Sequence, residues 1–184
     1  LNRLRQDDVR LLSLIGPPGI GKTRLAIQLG NDALLEFPDG VFFVELAAIT
    51  QPDRVILEIA HTLAISLTTH KKPAHSLHAY LFERRMLLIL DNVEQLLDAA
   101  SDIQALLAAC PLLKIVVTSR IPLRLRGEHH FPVQPLALPN PKRLPSITVL
   151  SQHASVELFI ARAQAAKPEF AITNTNAAAI AEIC

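Results

Sequence analysis

The sequence predicts an α/β fold: a parallel five-stranded sheet between two layers of helices. Three observations carry this. Short apolar runs alternate with helical patterns along the chain, the arrangement that builds parallel sheets from crossover units. Apolar residues make up 50% of the 184 and mean hydropathy is +0.30, which suits strands buried on both faces. The octet Gly16-Pro17-Pro18-Gly19-Ile20-Gly21-Lys22-Thr23 lies between the first apolar run and the first helical pattern. It fills the pattern G-x-x-x-x-G-K-[ST], the strand–loop–helix phosphate-binding motif.

The elements follow in order. Arg10 to Ile15 reads as the first strand. Thr23 to Leu35 reads as a helix with Leu25, Ala26, Leu29 and Ala33 on one face. Phe37-Pro38-Asp39-Gly40 is a turn, and Val41 to Leu46 is the second strand. Thr50 is placed to cap a helix from Pro52 to Leu63, with proline in its first turn. Ser66 to Pro73 is a polar loop, followed by a short helix from Ser76 to Glu83.

Met86 to Asp91 is the third strand, wholly apolar until its last residue. Helical stretches follow at Val93 to Leu97 and Ser101 to Ala109. Lys114 to Thr118 is the fourth strand and His130 to Val133 a short fifth. The proline-rich run Leu138 to Pro145 is a linker by composition. Ser151 to Ala166 reads as a helix with Ala154, Leu158 and Ala161 on one side, and Asn176 to Cys184 as the start of another. The expected organisation is a nucleotide-binding domain over 1–138, a linker over 139–150 and the beginning of a helical subdomain over 151–184.

The octet suits a polyphosphate for physical reasons. Glycines adopt positive φ and let the backbone approach closely. Successive N–H groups form a hollow for anions, and a helix N-terminus adds its unpaired donors and dipole. Lys22 can reach the outer phosphates, and the Thr23 hydroxyl can sit on Mg²⁺.

A second constellation ends the third strand. Asp91 stands at the carboxyl edge, where open α/β sheets bind ligands. It can hold Mg²⁺ or cap the helical stretch that follows. Asn92 comes next; an amide orients water but is no base, so slow hydrolysis is expected. Glu94 is a carboxylate nearby. A third constellation, Thr118-Ser119-Arg120, ends the fourth strand at the same edge. Arg120 can pair with phosphate oxygens and sense a γ-phosphate, or lie on a surface turn before Pro122.

Other candidates are weaker. His70, His75 and His78 cluster without an evident fourth zinc ligand. Arg124 and Arg126 form a basic turn, and Cys110 is a small core or cap residue. Net charge is +1, which argues against direct nucleic-acid contact. No apolar run approaches the ~20 residues of a membrane span. Two cysteines make no disulfide framework, so a cytoplasmic setting is expected. The chain starts without Met and stops inside an apparent helix, as a piece of a larger protein would.

The order of GPPGIGKTRLA, FPDGVFFVELAAI, LLILDNVEQL and IVVTSRIPLRLRGEHHFPVQPLALP resembles the nucleotide-binding module of STAND NTPases. More narrowly, it is similar to the bacterial ATPase modules attached to LuxR-type or antibiotic-regulator-type transcription factors. NB-ARC domains are relatives. The resemblance implies strand order 5-1-4-3-2 and a regulatory switch: ADP held at rest, ATP exchange, opening and nucleotide-dependent homo-oligomerisation, with other domains of the same protein as further partners. It implies phosphate binding by Gly16 to Thr23 with Arg24 beside them, Mg²⁺ on Thr23 and Asp91, and a sensor at Arg120. The family's G-R-E and G-L-P-L segments do not occur within these residues, so no adenine contact is assigned.

Three readings follow: a slow regulatory ATPase switch, an AAA+ type motor or loader, and a passive interaction module. A motor usually needs an acid where Asn92 stands. Intact Lys22, Thr23 and Asp91 argue against the passive module. No N-K-x-D segment occurs, which disfavours a GTPase.

Overall fold

The computed structural model describes residues 1–66, 72–96, 99–140 and 143–184. His70, Leu97, Pro141 and Lys142, which figure in the expectations above, lie outside the described residues. The chain divides into two compact units, Leu1–Val133 and Gln134–Cys184.

Alternation of short apolar runs with helical patterns yields five strands in the first unit. They are β1 (Leu11–Ile15), β2 (Val41–Glu45), β3 (Leu87–Asp91), β4 (Lys114–Ser119) and β5 (Glu128–Pro132). The order is β2-β3-β4-β1-β5, with every pairing parallel. Read from the other edge this is the order 5-1-4-3-2 expected above. All five residues of β3 are buried, as their apolar run requires. β5 is an edge strand and largely exposed, so it tolerates His129 and His130.

Side chains of each strand alternate between two cores, the period-2 rule of a pleated strand. Leu12, Leu14, Leu87, Ile89 and Val116 pack with Ala26, Leu29 and Ala33 of α1 (Lys22–Ala33). Leu11, Leu88, Leu90, Ile115 and Val117 face the other way. There they meet α2 (Val55–Thr62), α3 (Pro73–Leu81) and α4 (Ala100–Ala109) through residues such as Ile59, Leu77 and Ile103. The result is the three-layer αβα arrangement.

Several local expectations are corrected. Leu25 is 37% exposed, because one residue turns a helix by ~100° and carries it off the face that Ala26 holds. Thr50 caps nothing: Pro52–Arg54 forms one 3₁₀ turn whose entry is closed by the Gln51 carbonyl, which accepts the Arg54 N–H at 3.1 Å. α3 begins at Pro73, because proline's fixed φ suits a first helical position. Within the stretch expected to be helical after Asn92, Val93–Gln95 forms a 3₁₀ turn.

The second unit holds α5 (Ile147–Leu150), α6 (Ala154–Ala166) and α7 (Ala177–Ile183). Its core is Leu150, Val156, Ala177, Ile180 and Ala181, with Phe159, Ile160 and Phe170 against it. Phe159 and Phe170 meet edge to face at 6.0 Å. Ala154, Leu158 and Ala161 are exposed. α6 buries Val156 with Phe159 and Ile160 at i+3 and i+4, so the apolar face is rotated from the expected one. Among the described residues, no helix is long and apolar enough to cross a membrane.

Candidate functional site

Parallel register brings three strand ends together. Ile15 of β1 lies opposite Ser119 of β4, and Leu90 of β3 opposite Val117. The glycine loop, Asp91 and Arg120 therefore emerge side by side at the carboxyl edge. The Gly16 N–H donates to the Ser119 carbonyl at 3.3 Å, which ties the loop's start to β4.

The loop requires its glycines. Gly19 and Gly21 have φ of 77° and 96°, a region costly for other residues. An added Cβ at either would meet nothing within 4 Å, so backbone conformation rather than crowding selects glycine there. α1 starts at Lys22 with no side-chain cap and no acidic residue in its first turn. Its leading N–H groups thus lack a side-chain acceptor, the condition that suits a phosphate. Lys22 is only 7% exposed and arches over the loop. Its Nζ donates to the Gly16 and Pro17 carbonyls at 2.9 and 3.0 Å.

Beneath the loop, the Thr23 hydroxyl donates toward Asp91 at 2.9 Å from Oδ1 and 3.1 Å from Oδ2. Asp91 is 6% exposed. The Thr118 hydroxyl donates to Asp91 Oδ1 at 2.5 Å and accepts the Asn92 N–H at 3.0 Å. A hydroxyl and a carboxylate converging below a phosphate hollow form a hard oxygen donor set, the kind that Mg²⁺ takes alongside phosphate oxygens. Asp91 is not a helix cap: Asn92 takes the N-cap position of the turn. Asn92 is left-handed, φ 64° and ψ 47°, a conformation asparagine tolerates better than most residues.

Pro18, Gly19, Gly21, Lys22, Thr23 and Arg24 line a cleft of about 520 Å³, with Ile27, Asn92, Glu94 and Arg120. Gly16 and Pro17 supply carbonyls from behind it, while Ile20 packs its Cγ2 near Gly16. Arg120 Nε donates to Glu94 Oε1 at 3.0 Å, with the arginine 55% and the glutamate 11% exposed. A pair this open to water is worth no more than ~1 kcal/mol. Glu94 Oε2 is buried and has no partner among the described residues.

The segment after Arg120 is fixed by one carboxylate. Glu128, its side chain 2% exposed, accepts the Ser13 hydroxyl and the N–H groups of Leu123, Arg124 and Leu125. Burial pushes its carboxyl up, but hydrogen bonds from Ser13, Leu123, His130 and Leu125 outweigh this and hold it below its ordinary value.

Thirteen residues were expected here, and the cleft gathers most of them. Thr118 and Ser119 differ from expectation: both are fully buried and do not line the cleft. Two contributions escape the motif. Ile27 lies one helical turn beyond Thr23, so i, i+4 spacing points to it. Thr118 orients Asp91, which only the β3–β4 pairing reveals. Among the described residues, no three His, Cys, Asp or Glu could share a metal ion; His75 and His78 both lie within α3. Cys110 is a buried residue at the end of α4.

Comparison with known proteins agrees with this architecture. The model of the NB-ARC domain matches residues 1–123. A Mycobacterium tuberculosis protein, described as a candidate HTH-type transcriptional regulator, is 41% identical over 176 residues. That match covers 95% of this chain and 18% of the relative, so the chain spans under a fifth of that protein's length. Cdc6p from Pyrobaculum aerophilum shares the fold, with TM-score 0.60 and 18% identity over 84% of this chain and 43% of that one. So does a Signal Transduction ATPase with Numerous Domains (STAND) protein from Pyrococcus horikoshii, with TM-score 0.54 and 13% identity over 94% of this chain and 25% of that one. With its glycine loop, paired Thr23 and Asp91, and five-stranded parallel sheet, the chain belongs to the NB-ARC domain family and is a nucleotide-binding module.

Proposed function

We propose that this module is an ATP/ADP switch with slow hydrolysis, acting within a larger signalling or transcription-regulating protein. The observation that carries the reading is the Thr23–Asp91 pairing beneath an uncapped helix N-terminus, with Lys22 arched over the loop. Gly16 to Thr23 hold the phosphates and Arg24 flanks them. Thr23 and Asp91 hold Mg²⁺, which when bound neutralises phosphate charge. Arg120 reads the terminal phosphate.

Slow hydrolysis follows from position 92. Asn92 lines the cleft but its amide takes no proton. Glu94, the remaining carboxylate on the cleft lining, is engaged by Arg120. Nucleotide-dependent homo-oligomerisation, and communication with other domains, belong to the same reading.

Turnover by the intact protein tests it. The expected rate without a partner lies well below ~1 s⁻¹, the low end of ordinary enzyme turnover. Many turnovers per second would refute the switch and favour a motor.

A further inference from the structure

We propose that Glu94 determines the module's preference between di- and triphosphate, by holding Arg120 in competition with the terminal phosphate. The inference rests on the nucleotide-binding reading above and adds a residue that discriminates between the two nucleotides.

Arg120 follows the strand end that carries Ser119, whose carbonyl holds the first residue of the glycine loop. Glu94 reaches the same cleft from the turn after β3. Lys22, Thr23 and Asn92 share that lining. A phosphate chain running outward from the loop thus approaches both members of the pair.

The pair's chemistry makes it exchangeable in one direction at a cost. Arg120 is half-exposed and bound through Nε at 3.0 Å, so a phosphate with more charge and more oxygens can displace the carboxylate. Glu94 is far more buried. One of its oxygens has no partner among the described residues, and the other has Arg120. Departure of Arg120 leaves a nearly buried anion beside an incoming anion. That opposes triphosphate binding and leaves a diphosphate, which is one phosphate shorter, comparatively untouched. Glu94 is therefore a latch that favours the diphosphate state, and Arg120 is the part that moves.

The test measures affinities of the intact protein for ADP and for a non-hydrolysable ATP analogue, both with Mg²⁺. Glu94→Gln keeps the shape and removes the charge. It is expected to raise the analogue-to-ADP affinity ratio by roughly three- to fivefold. Glu94→Asp keeps the charge but shortens the reach, and is expected to move the ratio in the same direction. In an Arg120→Ala background, Glu94→Gln is expected to move the ratio less than twofold. Unchanged melting midpoints identify variants that fold normally.

The latch is overturned if Glu94→Gln shifts both affinities equally. It is also overturned if Glu94→Asp retains the wild-type ratio, or if the effect of Glu94→Gln is as large without Arg120. In each of these cases wild-type binding stands and the proposed function survives. Failure of the wild type to bind either nucleotide would overturn both readings.

Discussion

Thr118→Val removes one hydroxyl from the floor of the site and alters little else in shape. The hydroxyl donates to Asp91 at 2.5 Å and accepts the Asn92 N–H at 3.0 Å, and Thr118 is fully buried. The charge-assisted bond is worth ~1.5–3 kcal/mol and the neutral one ~1 kcal/mol. Their loss predicts destabilisation of about 3 kcal/mol. For a chain of this size that is a fall of roughly 6–12 °C in melting midpoint. Thr118→Ser keeps both bonds and loses a buried methyl, about 1 kcal/mol, so it falls about a third as far. Denaturant unfolding and thermal melts, followed by circular dichroism, measure both. If Thr118→Val lies within ~0.5 kcal/mol of wild type, Asp91 and Asn92 are not held by Thr118. The strand ends would then be organised by other contacts than the Thr118 hydroxyl.

Other predictions touch the site and its supports. Lys22→Ala is expected to weaken ADP and ATP binding at least ~10-fold, by calorimetric titration, because its cation is replaced by nothing at the loop. The Glu128 carboxyl titrates below its ordinary value of 4.5 when folded, so the unfolded chain takes up the proton first. Glu128 thus stabilises at neutral pH, and that contribution is lost as pH falls below about 4.5. Melts of Glu128→Gln across pH 3 to 6 are expected to be flatter than wild type, and equal slopes would contradict this. Asn92→Glu places an acid at the cleft in a left-handed backbone. In a switch it is expected to raise ATP turnover less than about threefold, within ~0.7 kcal/mol of barrier; a large gain would indicate a motor lacking its base.

Much of this was legible from residues whose constraints are local. The glycine octet announces its loop because only glycine adopts the φ values found at Gly19 and Gly21 at little cost. The wholly apolar Leu87 to Leu90 announces a central strand for the same kind of reason, since both faces are covered. Asp91 was visible as the one charge at the end of that run.

What depends on neighbours distant in sequence was not legible. Thr118 is 27 residues from Asp91, and nothing in either segment says which hydroxyl meets which carboxylate. The Arg120–Glu94 pair spans 26 residues and turns two separately noticed side chains into one unit. Glu128 gave no signal, because its partners are chiefly backbone N–H groups and Ser13 on a neighbouring strand. Leu25 and the face of α6 misled because small and apolar residues fill several sides of those helices. The buried stripe is then chosen by what the helix packs against.

A switch of this kind holds nucleotide at rest. The most direct measurement extracts the purified protein and resolves the released nucleotide by anion exchange. The expected result is ADP close to one per chain, replaced by ATP only on exchange. Protein that carries no nucleotide and binds neither added ADP nor added Mg-ATP would contradict it.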